Sequence, residues 1–417
     1  MTAIRLRYSH NTDSQLLKEI NEMRLLNLIE RSGPLSRAAI SKQAHMAKAT
    51  VSEIIGRLLE SELVEEMGKG DSTSRGGKRP TMIQINPTGR YVFGVDIKRD
   101  HSQIQLTNLL GEEIDMELIS YPVGSSKKKV VKAIMDVMHQ QLLARKIPAK
   151  RLLSIGISIP GLVDYQNGEL WMADTLPGWD HLPISSVFEH EFRIPCFIEN
   201  DVKCTAWGER LKGAGEDTEG DLICIFLGDG IGAGIIHDEH ILHGISGGAG
   251  EIGYIEVHCP VLLKGKYLLN GQKYYGELLG MASLKAGFKK AGIDLEARDF
   301  DTILSSKEDL VEAVLNEYAQ ALASLTQNLV KTLNPKTVIF TGKPVEQSNY
   351  LSKQVQRHIE SGLTASALHL AVDVRVGTLG PRAALAGAVA LAKQTLFKPV
   401  VAQHFTPDMS LENNSYF

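Results

Sequence analysis

Polar side chains of the kind that contact DNA are concentrated in one short stretch of the sequence: Lys48, Thr50, Ser52 and Arg57. Apolar side chains recur between them at helical spacing, namely Val51, Ile54, Ile55, Leu58 and Leu59. This spacing predicts an amphipathic helix with one buried face and one polar face. Short polar side chains and cations on a helix in the major groove can reach base edges and phosphates. The stretch is therefore a candidate recognition helix.

A shorter helix must precede this one to position it. Ser36 is placed to cap that helix, and the chain turns near His45 and Met46. An earlier helix is expected over Asn11–Arg31, ended by the Ser-Gly-Pro run that follows. Helix pairs of this kind also pack in many proteins that never contact nucleic acid. The helices alone therefore leave DNA binding open.

A basic, glycine-rich segment follows the helices. The run GKGDSTSRGGKRP at 68–80 separates a short strand from TMIQIN, which alternates with period two. Strand, loop and strand predict a β-hairpin wing. Arg75, Lys78 and Arg79 could follow a phosphate backbone or enter a minor groove, although a solvated linker is the alternative interpretation. Three helices and a basic wing predict a winged helix-turn-helix domain over 1–86.

Composition is that of a soluble globular protein of two or three domains, with 417 residues, 43% hydrophobic and 23% charged. No apolar run approaches the length of a membrane helix, and the N-terminus lacks the apolar core of a signal peptide. We therefore expect a cytoplasmic location without membrane insertion. The net charge is −4, but the first 80 residues carry 13 Lys or Arg against 10 Asp or Glu. No CxxC pair is formed by the cysteines, which are Cys196, Cys204, Cys224 and Cys259.

The remainder of the chain predicts a duplicated α/β architecture. Tyr91–Ile97 opens a unit of antiparallel strands that continues into helices and buried strands, and a similar hairpin starts at Asp221. The later helices are expected over Lys127–Leu143, Asp309–Leu333 and Pro381–Thr395. Pro87 and Gly89 mark the start of this part of the chain. The expected divisions are a first subdomain over 87–200, to which the C-terminal helix returns, a second over 201–398, and a loosely ordered tail over 399–417.

Several motifs taken together resemble the ROK family of repressors, open reading frames and kinases. They are GGKRP, GVDI, SIPGLVD, LPGW, ENDVKCTAWGE, LGDGIGAGII and GGAGEIGY. More narrowly, the chain looks like the xylose- and N-acetylglucosamine-type sugar-responsive repressors of that family, from about Leu16 to Ala392. The resemblance implies an actin-like (ribonuclease H-like) ATPase-type fold, a sugar in the interdomain cleft, and a homodimer or homotetramer.

The resemblance also implies a set of sugar-binding residues: Gly161, Thr175, Asn200, Asp201, Glu251, Tyr254 and Glu277. A carboxylate accepts from sugar hydroxyls and an amide both donates and accepts, so the pair Asn200 and Asp201 suits a polyol. The same pair could cap the helix that follows it. Thr175 replaces a common sugar-binding Asn, and Tyr254 replaces a His that contacts sugar. The effector could therefore be an unusual sugar, a sugar phosphate or none.

The phosphate-binding motifs of the kinase members are altered. Their glycine-rich DIGGT hairpin is replaced by Asp96-Ile97-Lys98-Arg99-Asp100, in which side chains replace both glycines and a carboxylate opposes phosphate. Thr341-Gly342-Lys343-Pro344 places a proline in the adenine-side loop. Leu227–Gly234 keeps its glycines, which a tight turn alone would explain. We expect no kinase activity; a sugar kinase with an accessory DNA-binding head is the rival hypothesis.

The zinc site implied by the family is also altered. Tyr254 stands at the position of its histidine, and Leu268, Asn270 and Tyr275 stand at those of its three thiolates. His258 and Cys259 lie nearby, but two ligands do not complete a tetrahedral site. We therefore expect no metal and no other cofactor. A phosphorylated ligand would be compatible with the nearby lysines, which are also typical of a solvated surface: Lys264, Lys266 and Lys273.

These features together predict a sugar-responsive transcriptional regulator that represses genes of carbohydrate uptake or catabolism. Its expected partners are double-stranded operator DNA, a small sugar effector and further copies of the chain. A sugar that binds one interdomain arrangement better than another would shift the oligomer toward it and change the spacing of the recognition helices. Control by a sugar-transport protein instead of a sugar is a further alternative.

Overall fold

The protein is described by a computed structural model that covers residues 10–69, 79–257, 265–268, 272–365 and 370–397. The chain forms two compact units. The first combines the chain up to Ile157 with Leu182–Ile198 and with the segment from Val389 onward; the second combines Ser158–His181 with Glu199–Ala388. This division differs from the expected one, because the N-terminal head joins the first sheet and residues 158–181 join the second unit.

The N-terminal head is a winged helix. Its elements are α1 (His10–Ser32), β1 (Leu35–Ser36), α2 (Arg37–Ala44), α3 (Lys48–Glu60), β2 (Val64–Lys69) and β3 (Thr81–Ile85). The Ser36 hydroxyl oxygen accepts the Ala39 amide proton at 3.2 Å, which confirms the predicted cap. α2 ends at His45 in the left-handed conformation, where the turn was expected. The three strands pair in the order β1-β3-β2, as a wing requires.

The first α/β sheet follows directly. Its part of the chain contains β4 (Tyr91–Ile97), β5 (His101–Asn108), β6 (Glu113–Ser120), α4 (Lys127–Ala144), β7 (Leu152–Ile159), β8 (Leu162–Asp164), β9 (Glu169–Met172), α5 (Ile184–Phe192) and β10 (Cys196–Asn200). The five-stranded sheet has the order β10-β7-β4-β5-β6, and every residue of β4 is buried. β8 and β9 form a separate two-stranded hairpin.

The second α/β sheet repeats this order. Its part of the chain contains α6 (Asp201–Lys212), β11 (Leu222–Leu227), β12 (Ile231–His237), β13 (His240–Ile241), α7 (Tyr275–Leu279), α8 (Met281–Lys290), α9 (Phe300–Leu304), α10 (Asp309–Leu333), β14 (Thr337–Thr341), α11 (Lys343–Gln347), α12 (Asn349–Thr364), β15 (Asp373–Val376) and α13 (Ala383–Phe397). The sheet order is β13-β12-β11-β14-β15. Each sheet places an antiparallel β-meander on one side of its opening strand and two later strands on the other. The predicted duplication is therefore confirmed.

The head packs against the first sheet within the first unit. Leu109, at the end of β5, belongs to the apolar core of the head, and Leu153 and Leu396 pack against that core. Two ion pairs join the same parts: Arg151 with Glu62 at 3.1 Å, and Lys393 with Glu30 at 2.8 Å. The end of α13 thus contacts the head as well as the first sheet. Among the described residues, no helix is sufficiently long and apolar to cross a membrane.

Candidate DNA-binding and effector sites

The N-terminal half of α3 presents polar side chains to solvent. Lys48, Thr50 and Ser52 are exposed, whereas the apolar side chains between and after them are buried in the head. The buried set is Val51, Ile54, Ile55 and Leu58. A helix held in this way by one face leaves the opposite face available to a groove. The candidate groove residues, apart from Arg57, lie on exposed positions of that helix.

Arg57 lies differently from the other candidates. Its guanidinium donates to Glu22 of α1 at 2.6 Å and to Glu53 at 2.7 Å. The hydrogen bond to Glu22, followed by the charges of both carboxylates, raises the pKa of Arg57. The side chain therefore ties α3 to α1, and a DNA contact would have to break these pairs. On the wing, Arg79 is exposed, while Arg75 and Lys78 lie outside the described residues.

Asn200 joins two parts of the second unit. Its side-chain oxygen accepts the amide protons of Val202 and Lys203 at 3.0 and 3.1 Å, which caps α6. Its side-chain nitrogen donates to the carbonyl oxygen of Gly161 at 2.9 Å. Asp201 follows as the first residue of α6 and is half-buried. The cap interpretation is therefore confirmed for Asn200, which also donates to Gly161, and Asp201 is not part of the cap.

Gly161 cannot be replaced without moving the chain. Its φ is +115°, and a Cβ there would lie 2.2 Å from the carbonyl oxygen of Met172. Only glycine accepts this conformation without strain. Thr175 lies after the same hairpin, and its hydroxyl oxygen is buried without a hydrogen-bond partner among the described residues. A buried hydroxyl of this kind needs a partner, which a ligand hydroxyl could supply.

Glu251 lies among other charged groups at the end of a tight loop. Burial raises its pKa above the ordinary value, although the Lys203 ammonium opposes this increase. The carboxylates of Asp201 and Asp174 raise it further. The loop itself is held by the Ala233 amide, which donates to the Gly250 carbonyl at 2.9 Å. The structure thus brings Asp201 and Glu251 into one electrostatic environment, as a shared sugar site would require.

Two members of this cluster were missed in the sequence. Lys203 is only 3% exposed, and its ammonium donates to the carbonyl oxygen of Gly247. A cation in the first turn of a helix opposes the helix dipole, so its position in α6 was a signal that could have been used. Asp174 immediately precedes Thr175. In the sequence, only the replacement of Asn by Thr175 was considered, and the negative charge of this neighbour was not.

Of the remaining predicted sugar-binding residues, Tyr254 lies near the charged cluster, whereas Glu277 caps a helix. Tyr254 is 61% exposed; partial burial, then the carboxylates of Asp174 and Glu251, raises the pKa of its phenol. It therefore belongs to the charged cluster. Glu277 caps α7 instead, accepting the amide protons of Lys273 and Tyr274 at 3.0 and 3.4 Å. One of its carboxylate oxygens is thus committed to the backbone.

Residues 92–395 match the ROK family, and residues 18–67 match the MarR family. The chain belongs to the ROK family. It is 27% identical to the xylose repressor of Caldicellulosiruptor bescii over 90% of this chain and 96% of that one. It is 26% identical to the DNA-binding transcriptional dual regulator NagC of Escherichia coli K12 over 93% and 96%.

Solved structures agree with this fold. A ROK family transcriptional regulator, described as a homologue of the E. coli MLC protein, superposes with a TM-score of 0.78 at 22% identity, covering 92% of this chain and 98% of that one. Kinases of the ROK family share the body of the fold but match less of the chain; one hexokinase covers 73% of it. The match to the regulator covers a larger share of this chain than the match to the hexokinase.

The turn at 96–100, where the resemblance to ROK kinases implies a phosphate hairpin, is closed by side chains. Lys98 pairs with the buried carboxylate of Asp96 at 3.3 Å. The phenol of Tyr121 donates to the carbonyl oxygens of Lys98 or His101, both at 2.8 Å. Burial raises the pKa of Tyr121 to about 12, so the phenol keeps its proton. The turn is therefore held by protein groups where a nucleotide phosphate would require open backbone amides.

The two other loops at which the resemblance implies nucleotide contacts, 341–344 and 227–234, also make contacts within the protein. The Gly342 amide donates to Glu346 at 2.8 Å, and Lys343 pairs with Asp301 at 2.6 Å. In the glycine-rich loop, a Cβ on Gly234 would lie 2.3 Å from Ala206 of α6. That glycine is explained by the packing of α6 on β12 without any ligand.

The ROK zinc position does not fit a zinc ion at the residues that the structure describes. Leu268 and Tyr275 are 3% and 2% exposed and lie in the apolar core of the second unit. Neither they nor Tyr254 offers a thiolate or an imidazole. Backbone hydrogen bonds join the two sides of the segment instead, from Val257 to Lys273 and from Tyr275 to Ile255. Asn270, His258, Cys259 and Lys264 lie outside the described residues.

Proposed function

We propose that this ROK protein is a sugar-responsive transcriptional repressor of genes for carbohydrate uptake or catabolism. It binds double-stranded operator DNA through α3 and the wing, and a sugar in the second unit changes its operator affinity. The observation that carries the proposal is the combination of an exposed, polar α3 face on a winged helix with a ROK body in which Asp201, Glu251 and Tyr254 share one charged environment. The relatives named as repressors support the same function.

The DNA contacts divide into two kinds. Thr50 and Ser52 have short side chains that suit base edges, whereas Lys48 and Arg79 suit phosphates. Arg57 supports α3 from behind through Glu22. Arg75 and Lys78 extend the wing contact to the backbone or the minor groove. A homodimer or homotetramer would place two recognition helices on half-sites about one helical turn, or a multiple, apart.

The effector is a sugar without a phosphate group. Three carboxylates interact in the cluster, those of Asp174, Asp201 and Glu251, whereas the ammonium of Lys203 already donates to Gly247. A phosphate would add two negative charges to this group. Of the lysines near α7, Lys273 pairs with Glu256 at 3.1 Å and so adds little net positive charge. Neutral hydroxyls, by contrast, can donate to carboxylates.

The protein has neither kinase activity nor a zinc cofactor. Kinase activity requires an open phosphate hairpin, and here Asp96, Lys98 and Tyr121 close the turn. A structural zinc site requires ligands that are absent at Tyr254, Leu268 and Tyr275. Backbone hydrogen bonds from Val257 to Lys273 and from Tyr275 to Ile255 join the described ends of this segment instead.

The test measures, by fluorescence anisotropy, how tightly the full-length chain binds the DNA upstream of its own gene. The titration is repeated with D-xylose, D-glucose, N-acetyl-D-glucosamine and their phosphates. We expect specific binding that one unphosphorylated sugar changes, and a response reduced about 10- to 100-fold by Asp201→Asn, because a hydrogen bond to a charged group is lost. Asp238→Asn, on the exposed turn before β13, is the matched control.

Two results would contradict the proposal. Specific DNA binding that no sugar changes would replace the sugar with a protein partner as the controlling ligand. ATP-dependent turnover of a sugar, lost in Asp201→Asn, would make the chain a kinase with an accessory head.

A further inference from the structure

Glu199 and His243 link the two segments that carry the cluster's carboxylates, one leading to Asp201 and the other to Glu251. Glu199, 2% exposed at the end of β10, accepts the Asn200 amide proton at 2.8 Å through one oxygen. Its other oxygen lies 2.5 Å from Nε2 of His243. A buried carboxylate is stabilised only when its oxygens are paired in this way. His243 is thereby linked, through one side chain, to the residue that begins the Asn200-Asp201 pair.

The backbone of His243 is linked to the other half. Its carbonyl oxygen accepts the Ala249 amide proton at 3.0 Å, which closes the loop that leads to Glu251. Within that loop, the Gly247 carbonyl accepts from the Lys203 ammonium of α6. The loop is therefore tied to the start of α6 at two places, by His243 through Glu199 and by Lys203 directly.

The imidazole ring is held from its other side by an aromatic stack. Tyr165 lies against His243 with 3.7 Å between ring centroids and 15° between planes. Tyr165 follows Asp164, whose carboxylate accepts the amide protons of Gln166 and Asn167, both at 3.1 Å. These hydrogen bonds hold the turn that carries Tyr165. The His243 ring would lose its stack on Tyr165 if it rotated away from Glu199.

We propose that His243, clamped between Tyr165 and Glu199, is a positioning residue that sets the distance between Asp201 and Glu251. Its role rests on the proposed sugar site, since it acts through residues that would contact the sugar. A side chain that holds the two carboxylate-bearing segments in place before binding lowers the entropy cost of ordering them when a polyol binds. His243 itself contacts no ligand.

The first readout does not depend on any ligand. Amide hydrogen exchange is compared in the full-length protein for residues 199–206 and 243–252, in His243→Leu, His243→Gln and wild type. We expect His243→Leu to accelerate exchange in both segments about tenfold, and His243→Gln, which keeps a donor for Glu199, to restore most of the protection. His240→Leu makes the same change three residues earlier on exposed β13 and should leave both segments as in wild type.

The second readout is the sugar response, measured with the most effective sugar of the panel above and normalised to each variant's own operator affinity. We expect His243→Leu and Tyr165→Ala to raise the sugar concentration for half-maximal effect about tenfold, with His243→Gln near wild type. Unchanged exchange in both segments in His243→Leu would overturn the proposal. A wild-type protein that answers no sugar would contradict the proposed function, while the exchange result would still decide the role of His243.

Discussion

Glu251 ionises less readily in the folded protein than in the unfolded chain. Burial, the largest cause, raises its pKa above 4.5; the Lys203 ammonium opposes this increase, and the carboxylates of Asp201 and Asp174 add to it. Between the unfolded and folded pKa values, the folded protein therefore binds more protons at this group than the unfolded chain does. The stability that this proton provides is present below pH 4.5 and is lost as pH rises through the folded value.

A pH series of unfolding free energies tests this sign. We expect Glu251→Gln to gain stability relative to wild type as pH rises from 4.5 toward 7, because the variant has no carboxylate to ionise. Asp164→Asn supplies the opposite control, since hydrogen bonds from Asn167 lower the pKa of Asp164. That variant should lose stability relative to wild type as pH rises to about 3.8, and the difference should then stay constant through the range in which Glu251 ionises. A difference for Glu251→Gln that is flat with pH would show that the pKa of Glu251 is not raised in the folded protein.

Sequence reasoning at this scale found the residues whose role follows from local chemistry. Asn200 was predicted both as a cap and as a sugar-type residue, and the cap follows from its place before a helix. Lys203 and Asp174 were missed because their importance comes from neighbours distant in the chain. The same limit applies to Arg57: its pairing with Glu22, 35 positions earlier, cannot be read from the helical pattern.

At the scale of elements, Glu209 holds the end of α6 to the segment before α13. The carboxylate is fully buried and accepts the amide protons of Ala214, Thr378 and Leu379 at 2.8 to 3.2 Å. We expect Glu209→Ala to lower the free energy of unfolding by about 3 to 5 kcal/mol, because it leaves buried backbone donors without an acceptor. Urea denaturation of the full chain measures the change.

The matched control for this prediction is Glu216→Ala, an exposed glutamate in the loop that follows the same helix. Its loss should change stability by less than about 0.5 kcal/mol. Equal effects of the two substitutions would show that the amide cluster is already satisfied without Glu209.

The recognition helix offers a second test at this scale, because its two cations have different surroundings. Lys48 is exposed at its start, whereas Arg57 pairs with Glu22 and Glu53. We expect Lys48→Ala to weaken operator binding and to reduce the slope of log affinity against log salt by about 1, with no loss of stability. Arg57→Ala should lower stability by about 1 kcal/mol, in line with a partly exposed ion pair. A full loss of one salt-slope unit in Arg57→Ala, with stability unchanged, would restore Arg57 as a phosphate contact.

Elements with long amphipathic patterns were predictable, and their bounds were close. The long helix expected over Asp309–Leu333 has those bounds in α10, and the helix expected from Lys127 to Leu143 ends one residue later. The C-terminal helix was expected to start at Pro381 but starts at Ala383, because a short 3₁₀ turn precedes it. Local propensity sets the body of a helix, whereas its ends depend on caps and on tertiary contacts.

The whole molecule shows where sequence reasoning reached its limit. Pro87 and Gly89 lie between β3 and β4, which belong to different sheets, yet the head and the first sheet form one unit. The side chains that join them are Leu109, Leu153 and Leu396, with the ion pairs of Arg151 and Lys393. Each of these lies in an ordinary apolar or charged pattern of its own element. Which surface they meet is decided only by the three-dimensional fold.

This packing predicts that the head does not unfold independently of the first sheet. Leu109 is 1% exposed in the core of the head, although its own chain position is at the end of β5. Leu109→Ala should destabilise by about 2 to 4 kcal/mol, and it should accelerate amide exchange throughout α1, α2 and α3 as well as in β4 and β5. The adjacent Leu110→Ala, at a side chain 47% exposed, should change neither. Faster exchange confined to the sheet in Leu109→Ala would mean that the head keeps its fold independently of the first sheet.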